Sequence, residues 1–199
     1  MVRPKPAQIG RKALGKGPSE ARSGSKGEAP IFHVVDNWHW GHIISGDLGV
    51  TWADTTMSRS LGYQRSFMFL LSRSGRLVYE SPDIRVSYSD WKDDPSYLHP
   101  YPRLITVSFG EDGAPARGEF SMRIREVIET MDPLDMVGVP GFLKRLVGPL
   151  TKPYYFRWLL SVEGSLEVDG ETIEFDGETI HEQMLFRGRR PREMMARDD

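Results

Sequence analysis

The chain has 199 residues, a net charge of −2 and no cysteine. Its length suits one domain with or without a tail, and its composition is typical of a globular protein. The absence of cysteine excludes disulfides, thiol nucleophiles and cysteine metal ligands, and the near-neutral charge gives no reason to expect a nucleic-acid partner. No apolar run approaches the roughly 20 residues that span a bilayer. No secretory signal peptide is evident, so we expect a soluble cytoplasmic protein without an integral membrane segment.

The N-terminal segment 1–30 differs from the rest of the chain in charge and composition. It carries seven Lys or Arg against two Asp or Glu, contains no aromatic residue, and is rich in Gly, Pro, Ala and Ser. Such a segment buries too little apolar surface to offset the entropy lost on ordering. The sequence therefore predicts a disordered basic tail over 1–30, and a second loose tail over 187–199.

The first predicted strand, 32–42, concentrates aromatic and titratable side chains. In a regular strand, Asp36, Trp38, Trp40 and His42 share one face. An aromatic surround disfavours the charged form of a carboxylic acid and raises its pKa, which makes Asp36 a candidate proton donor near neutral pH. The alternative is structural, with the indoles only packing and the carboxylate in a salt bridge.

The residues that follow add further candidates. Asp54, just after Trp52, is a second carboxylate in the same neighbourhood. Arg59 and Arg65 flank a predicted turn and are candidates to hold Asp54 or a polar group of a ligand. Tyr63 is one of several amphipathic rings of the kind that often line pockets for apolar ligands.

Apolar and polar residues continue to alternate with period two along the chain, which indicates strands with one solvated face. The separating turn dipeptides are Ser74-Gly75, Asp112-Gly113, Asp169-Gly170 and Asp176-Gly177. Because such dipeptides tolerate positive φ and favour hairpins, we predict nine or ten strands between 31 and 186 in an antiparallel meander. A meander this long must cover or close its edges, so the expected fold is an all-β antiparallel barrel.

One short helix interrupts this pattern within residues 139–150. Its apolar side chains share a helical face, and they are Phe142, Leu143, Leu146 and Val147. Gly141 and Gly148-Pro149 limit the helix to two turns. We expect it to plug or cover one mouth of the barrel.

The last predicted strand places Glu182 among apolar residues. Ile180, Glu182, Met184 and Phe186 share one face, while His181 belongs to the other. Two readings remain open for the face of Glu182. Either it lines a cavity, where Glu182 is a candidate catalytic residue, or it is the outside of the barrel, with Glu182 paired to an arginine.

The sequence carries no recognisable signature for a cofactor, phosphate or metal. It lacks the GxSxG, Walker, GxGxxG and HExxH motifs. His39 and His42 are three residues apart, but on a strand these positions face opposite sides. We therefore expect no metal, and we expect histidine to form hydrogen bonds inside a polar pocket.

Two segments carry a family resemblance. DNWHWGHIISGDLGVTWADT, at 36–55, resembles the Asp-x-Asn-Trp-Gly type signature of the carotenoid 1,2-hydratase, AttH-like and kievitone hydratase-like superfamily. VEGSLEVDGETIEFDGETIHEQMLF, at 162–186, resembles that superfamily's terminal strands. The resemblance covers about 31–186 and implies a lipocalin-like barrel. Because members look like two consecutive barrels with the signature near the start of the second, this chain is expected to hold the second barrel only.

The resemblance implies a cofactor-independent hydratase or cyclase that protonates an alkene of an isoprenoid or prenylated secondary metabolite. Asp36 would donate the proton, and Glu182 and Asp54 are the other candidate catalytic carboxylates. The candidate substrate contacts are Trp38, Trp40, His42, Trp52 and Tyr63. The indoles would face the developing cation, and His42 or Glu182 would orient water.

Two other functions are compatible with the same residues. One is a non-catalytic lipocalin-like binder of an apolar small molecule. The other is a truncated partner of a two-barrel enzyme such as a Diels–Alderase, acting with a second barrel-containing chain or as a homo-oligomer.

Overall fold

The structure, a computed structural model, describes residues 34–136, 140–142, 145 and 153–186. Its strands are β1 (Val35–Ser45), β2 (Leu48–Met57), β3 (Arg65–Arg73), β4 (Arg76–Ser81), β5 (Ile84–Lys92), β6 (Tyr101–Phe109), β7 (Ala116–Met131), β8 (Tyr154–Val168) and β9 (Glu171–Leu185). A 3-10 turn spans Arg59–Leu61, and a short helix, α1, spans Pro133–Met136. The predicted all-β class and strand number are confirmed.

All nine strands belong to one curled antiparallel sheet with the order β4-β3-β2-β1-β9-β8-β7-β6-β5. The last strand returns to pair with the first, so β9 lies between β1 and β8. This pairing brings residues about 140 positions apart in the chain into direct contact. The centre of the sheet is therefore built from the two ends of the folded segment.

The edge strands β4 and β5 follow each other in the chain, but no backbone ladder joins them in the described part of the molecule. Because β4 pairs only with residues 69–73 of β3, residues 65–68 face β5 without a ladder. Side chains bridge this seam instead. Phe69 stacks on Phe109 of β6, the strand that pairs with β5, with ring centroids 4.0 Å apart. Arg65 Nη2 donates to the Val86 carbonyl oxygen of β5 at 3.4 Å.

The interior of the sheet is filled by large side chains from alternating positions. Strand β2 shows strict alternation, with every second residue buried. The largest buried side chains are Trp52, Trp158, Phe69, Phe120 and Phe156. Removing a large apolar side chain from water contributes about 1.5–3 kcal/mol, so these rings dominate the stability of the barrel.

The turn dipeptides behave differently from one another. Ser74-Gly75 and Asp169-Gly170 form two-residue hairpin turns in which all four residues have positive φ. The predicted turn at Asp176-Gly177 was wrong, because both residues lie inside β9. Strand β8 is long enough to continue its ladder past this point, where Gly177 pairs with Val162. Pairing with a long neighbouring strand thus overrode the local turn preference.

Several predicted segments lie outside the described residues. These are the tails over 1–30 and 187–199 and most of the helix over 139–150. Of that helix, Gly141, Phe142 and Arg145 are described as helical, and Phe142 is 73% exposed. Its role as a cover for the barrel mouth stays a prediction.

Candidate functional site

The side chains of β1 are distributed between its two faces differently from the prediction for a regular strand. His39 and Gly41 face the interior, whereas Trp38 and Trp40 are half-buried on the outer face and His42 is exposed there. The two indoles and the His42 imidazole therefore do not line the interior with Asp36. The prediction that these four side chains share a face was wrong.

A β-bulge explains the difference. The register of β1 against β2 shifts between Val35 and Asn37, so Asp36 and Asn37 are both fully buried although they are neighbours in the chain. A bulge inserts one extra residue, and a slip of one residue moves every following side chain to the other face. Asp36 is thus inside the barrel, as expected, but without Trp38 beside it on the same face.

A pair of histidines occupies the interior in place of the expected indoles. His39 Nδ1 and His181 Nε2 lie 3.2 Å apart, a hydrogen-bond distance, and both residues are fully buried. Burial lowers the pKa of His181 to about 3. Burial, together with the nearby His181 and Arg65, lowers the pKa of His39 well below its usual value. Both imidazoles are consequently neutral at physiological pH.

Aromatic rings enclose His181 on both sides. Its ring stacks on Trp52 at 4.9 Å and 10°, and on Trp158 at 5.5 Å and 9°. Gly41 makes this stack possible, because it lies between Trp52 and His181 in the sheet register. A Cβ at Gly41 would come within 2.9 Å of both Trp52 Nε1 and His181 Nδ1. Trp52, a predicted substrate contact, is therefore part of this cluster.

A second polar group adjoins His39 and bridges the seam between β3 and β5. Asp54 is buried, and its Oδ2 accepts hydrogen bonds from Arg65 Nη2 and from the Tyr88 hydroxyl, each at 2.8 Å. The Tyr88 ring lies 4.6 Å from the His39 ring. Burial and the Asp54 carboxylate raise the pKa of Tyr88 well above its usual value. Arg65 thus holds Asp54, as the sequence suggested.

Several buried polar atoms in this interior have no hydrogen-bond partner among the described residues. They are His39 Nε2, His181 Nδ1, Trp52 Nε1, Trp158 Nε1 and Gln183 Oε1. Gln183 uses its amide nitrogen to donate to Asn37 Oδ1 at 3.3 Å. Since buried polar groups in native proteins are almost always hydrogen-bonded, these five atoms leave hydrogen-bonding capacity unused in the cluster.

Glu182 lies on the outer face, which was one of the two readings of the last strand. It accepts a hydrogen bond from Trp40 Nε1 at 2.9 Å, and Arg157 Nε is 3.6 Å from its other oxygen. The three side chains help to line an open groove of about 390 Å³, with exposed Ile44 and Ile180 beside them. Glu182 is therefore remote in orientation from the buried histidine pair.

The interior at the level of the histidine pair is filled by stacked rings. Four open clefts at the surface of the described residues have volumes between 130 and 460 Å³, and neither His39 nor His181 lines any of these four. Tyr63 lies in the connection between β2 and β3, half-buried and with positive φ. Its predicted role as a substrate contact stays a prediction.

Sequence reasoning missed His39, His181 and Trp158 as members of one cluster. The available signal was the polar face of the last strand, which carries Thr179, His181 and Gln183. A polar face of this kind normally indicates solvent exposure, and only the pairing of β9 with β1 turns it inward.

In the described ranges, no group of three or more His, Asp or Glu side chains is arranged to hold a metal ion. Nor does that part of the chain contain a helix that is both long and apolar enough to cross a bilayer.

Comparison with known proteins gives a distant relative and two similar structures. No protein-family model matches the chain. The ceramide-binding protein SVF1 of Yarrowia lipolytica is 24% identical over 161 residues, which cover 75% of this chain and 40% of that protein. Crystal structures of CghA with Sch210972 and of CghA match with TM-scores of 0.53 and 0.51 at 12% and 11% identity. They cover 79% and 78% of this chain and, in both cases, 42% of CghA.

The chain thus spans less than half the length of the proteins that it matches. At these identities the structural likeness establishes the fold alone, and that fold is a lipocalin-like antiparallel barrel.

Proposed function

We propose that this barrel binds an apolar small molecule that carries a polar head group. The observation that carries the proposal is the fully buried His39–His181 pair. The His181 ring lies between two indole rings, and each histidine has a ring nitrogen without a hydrogen-bond partner among the described residues. Ligand sites are mostly apolar and aromatic, with a few polar groups that fix orientation. The relative named as ceramide-binding supports a lipid of this kind as the ligand.

A purely structural role explains the cluster less well. A buried donor or acceptor without a partner costs about 1–3 kcal/mol, and an apolar residue of similar shape at position 181 would avoid that cost. A bound ligand that forms hydrogen bonds with these imidazoles and indoles would remove this cost.

The seam between β3 and β5 is the access route that we propose. No ladder joins residues 65–68 to β5 in the described structure, and the Arg65–Asp54–Tyr88 cluster bridges the gap with side chains only. Side-chain contacts can rearrange without breaking a backbone ladder. The ligand would reach the histidine pair by parting this cluster, which lies directly beside His39.

A titration with ceramide, an N-acyl amino alcohol, tests this function. Binding beside Trp52 and Trp158 should change tryptophan fluorescence in a saturable manner, because both indoles are buried in the cluster. The variant His42→Phe, on the outer face of β1, should leave the titration unchanged. A ceramide titration without saturable signal would contradict the proposal.

A second candidate function is alkene protonation, as in a hydratase or cyclase acting on an isoprenoid or prenylated substrate. The complete burial of Asp36 favours it, since burial disfavours the charged form of a carboxylic acid. Asp54 fits the role of donor less well because Arg65 and Tyr88 already engage its carboxylate. The variant Asp36→Asn separates the two functions. If the protein is an enzyme, the variant should lose turnover and keep substrate affinity. If it is a carrier, the variant should keep its ligand affinity, and neither form should show turnover.

A further proposal concerns the part of the relatives that the match leaves uncovered. Because the match covers only 40% of SVF1 and 42% of CghA, we propose that this barrel can act with a second barrel-containing chain or a second copy of itself. Light scattering coupled to size exclusion gives the mass directly, and a monomer that binds ligand with full affinity would contradict the need for a partner.

A further inference from the structure

We propose that the His39–His181 pair selects the head group of the bound molecule, favouring a neutral group that both donates and accepts a hydrogen bond. The inference rests on the proposed binding function and adds the class of ligand to it. A hydroxyl or a secondary amide belongs to this class, whereas a carboxylate, a phosphate and an ammonium group do not.

The first step is the hydrogen count of the pair. A neutral imidazole carries one N–H and one bare nitrogen. The contact between His39 Nδ1 and His181 Nε2 uses one hydrogen. If His39 donates, its Nε2 is bare and His181 Nδ1 carries the other hydrogen. If His181 donates, the two outer nitrogens exchange these roles.

In either arrangement the pair therefore presents one donor and one acceptor at its outer nitrogens. Neither His39 Nε2 nor His181 Nδ1 has a partner among the described residues, and both side chains are fully buried. A ligand group satisfies these atoms when it donates a hydrogen bond to the bare imidazole nitrogen and accepts one from a neighbouring N–H group. Because the two arrangements differ only in hydrogen positions, the pair adapts to either role of the incoming group.

The second step is the surrounding hydrogen-bond chemistry. The indoles stacked on His181, Trp52 and Trp158, have nitrogens that only donate and that also lack partners in the described structure. An oxygen atom on the ligand can therefore accept hydrogen bonds from these indole N–H groups. A cationic amine, which offers donors only, would leave these indole N–H groups unsatisfied.

The third step is charge. Arg65, whose positive charge acts on His39, is already in a 2.8 Å salt bridge with Asp54. Asp36 is a further buried carboxyl in the same interior. An anionic head group would enter a region with neutral imidazoles and no uncompensated positive charge among these neighbours, and burying an unpaired charge is strongly unfavourable.

Four probes with the same twelve-carbon chain test the selection: dodecanol, N-methyldodecanamide, dodecanoate and dodecylammonium. Each competes with a fluorescent ceramide for the full chain at pH 7.5. We expect the alcohol and the amide to bind at least tenfold more tightly than either charged probe. Replacing both histidines (His39→Phe with His181→Phe) should reduce this difference to less than threefold, while His42→Phe should preserve it.

The unmodified protein provides an independent measurement that does not depend on folding of a variant. Histidine labelled with ¹⁵N reports the hydrogen on each ring nitrogen, and dodecanol should shift the resonances of His39 Nε2 and His181 Nδ1. Equal affinity for all four probes, or unchanged ¹⁵N resonances on saturation, would overturn the selection while ligand binding stands. Failure of the fluorescent ceramide itself to bind would instead overturn the proposed function.

Discussion

The inner and outer faces of β1 form two different chemical environments on one strand. Inside, His39 is in hydrogen-bond contact with His181 across the sheet and is cut off from water. Outside, Trp40 donates to Glu182, which also lies near Arg157, and all three side chains reach solvent. Both faces pair β1 with β9, and burial at the inner contact holds the pKa values of both histidines below their usual range.

The difference shows that solvent exposure, rather than residue type, decides how strongly the hydrogen bonds of these side chains affect the fold. On the outer face water can replace a lost hydrogen bond, so each contact there contributes little. On the inner face a lost partner leaves a desolvated group behind. Perturbations of the inner face should therefore have larger effects than perturbations of the outer face.

The largest expected effect is the pH dependence of stability. The folded pKa values of His39 and His181 lie below the value near 6.5 of an unfolded histidine. The unfolded chain therefore binds more protons below pH 6.5, and stability is lost as the pH falls. Between pH 7.5 and 5.5 the pair together should remove about 3 kcal/mol of unfolding free energy.

Urea unfolding at the two pH values measures this loss. The double variant His39→Gln, His181→Gln should lose about 3 kcal/mol less than the unmodified chain over the same interval. The exposed control His42→Gln should follow the unmodified chain. Equal pH dependence in the double variant and the unmodified chain would show that the pair is not held neutral by the fold.

The next effect concerns the glycine between the rings. Gly41→Ala places a Cβ 2.9 Å from two ring nitrogens that are held in a stack, so we expect a loss of about 2 kcal/mol in unfolding free energy. Gly141→Ala is the control, because no atom of the described residues lies within 4 Å of its added Cβ. Denaturant melts compare the two, and equal stability of the variants would mean that the rings move aside freely.

Tyr88→Phe tests the seam next to the inner cluster. It removes the 2.8 Å hydrogen bond to Asp54 but keeps the ring beside His39, and we expect a cost of about 1.5 kcal/mol in stability. If the seam is the access route, the rate of ligand association should rise. Stopped-flow fluorescence measures that rate, and an unchanged or slower association would argue for access elsewhere.

The smallest effect is expected on the outer face. Trp40→Phe removes the indole N–H that donates to Glu182, and water can take its place, so the expected loss is about 0.5 kcal/mol. Ligand affinity should be unchanged, because Trp40 faces away from the histidine pair. A tenfold weaker affinity would place the ligand on the outer groove rather than inside the barrel.

Part of this molecule follows from local sequence patterns. Period-two alternation indicates strands, because side chains point alternately to the two faces, and Ser74-Gly75 and Asp169-Gly170 form turns because their backbones accept positive φ. Residue types also made Asp36 a candidate for the interior and offered Arg65, together with Arg59, as a partner for Asp54.

Only the tertiary structure decided which face of each strand became the inside. The bulge at Asp36 shifts the alternation by one residue and sends Trp38 and Trp40 outward, and nothing in the local pattern marks a single inserted residue. The histidine pair joins residues 142 positions apart, through a pairing of the first and last strands that local periodicity does not encode. The amino-acid order thus determined the strands and several of their turns, while the long-range pairing of β1 with β9 determined the chemistry of the interior, because burial exists only once the sheet is assembled.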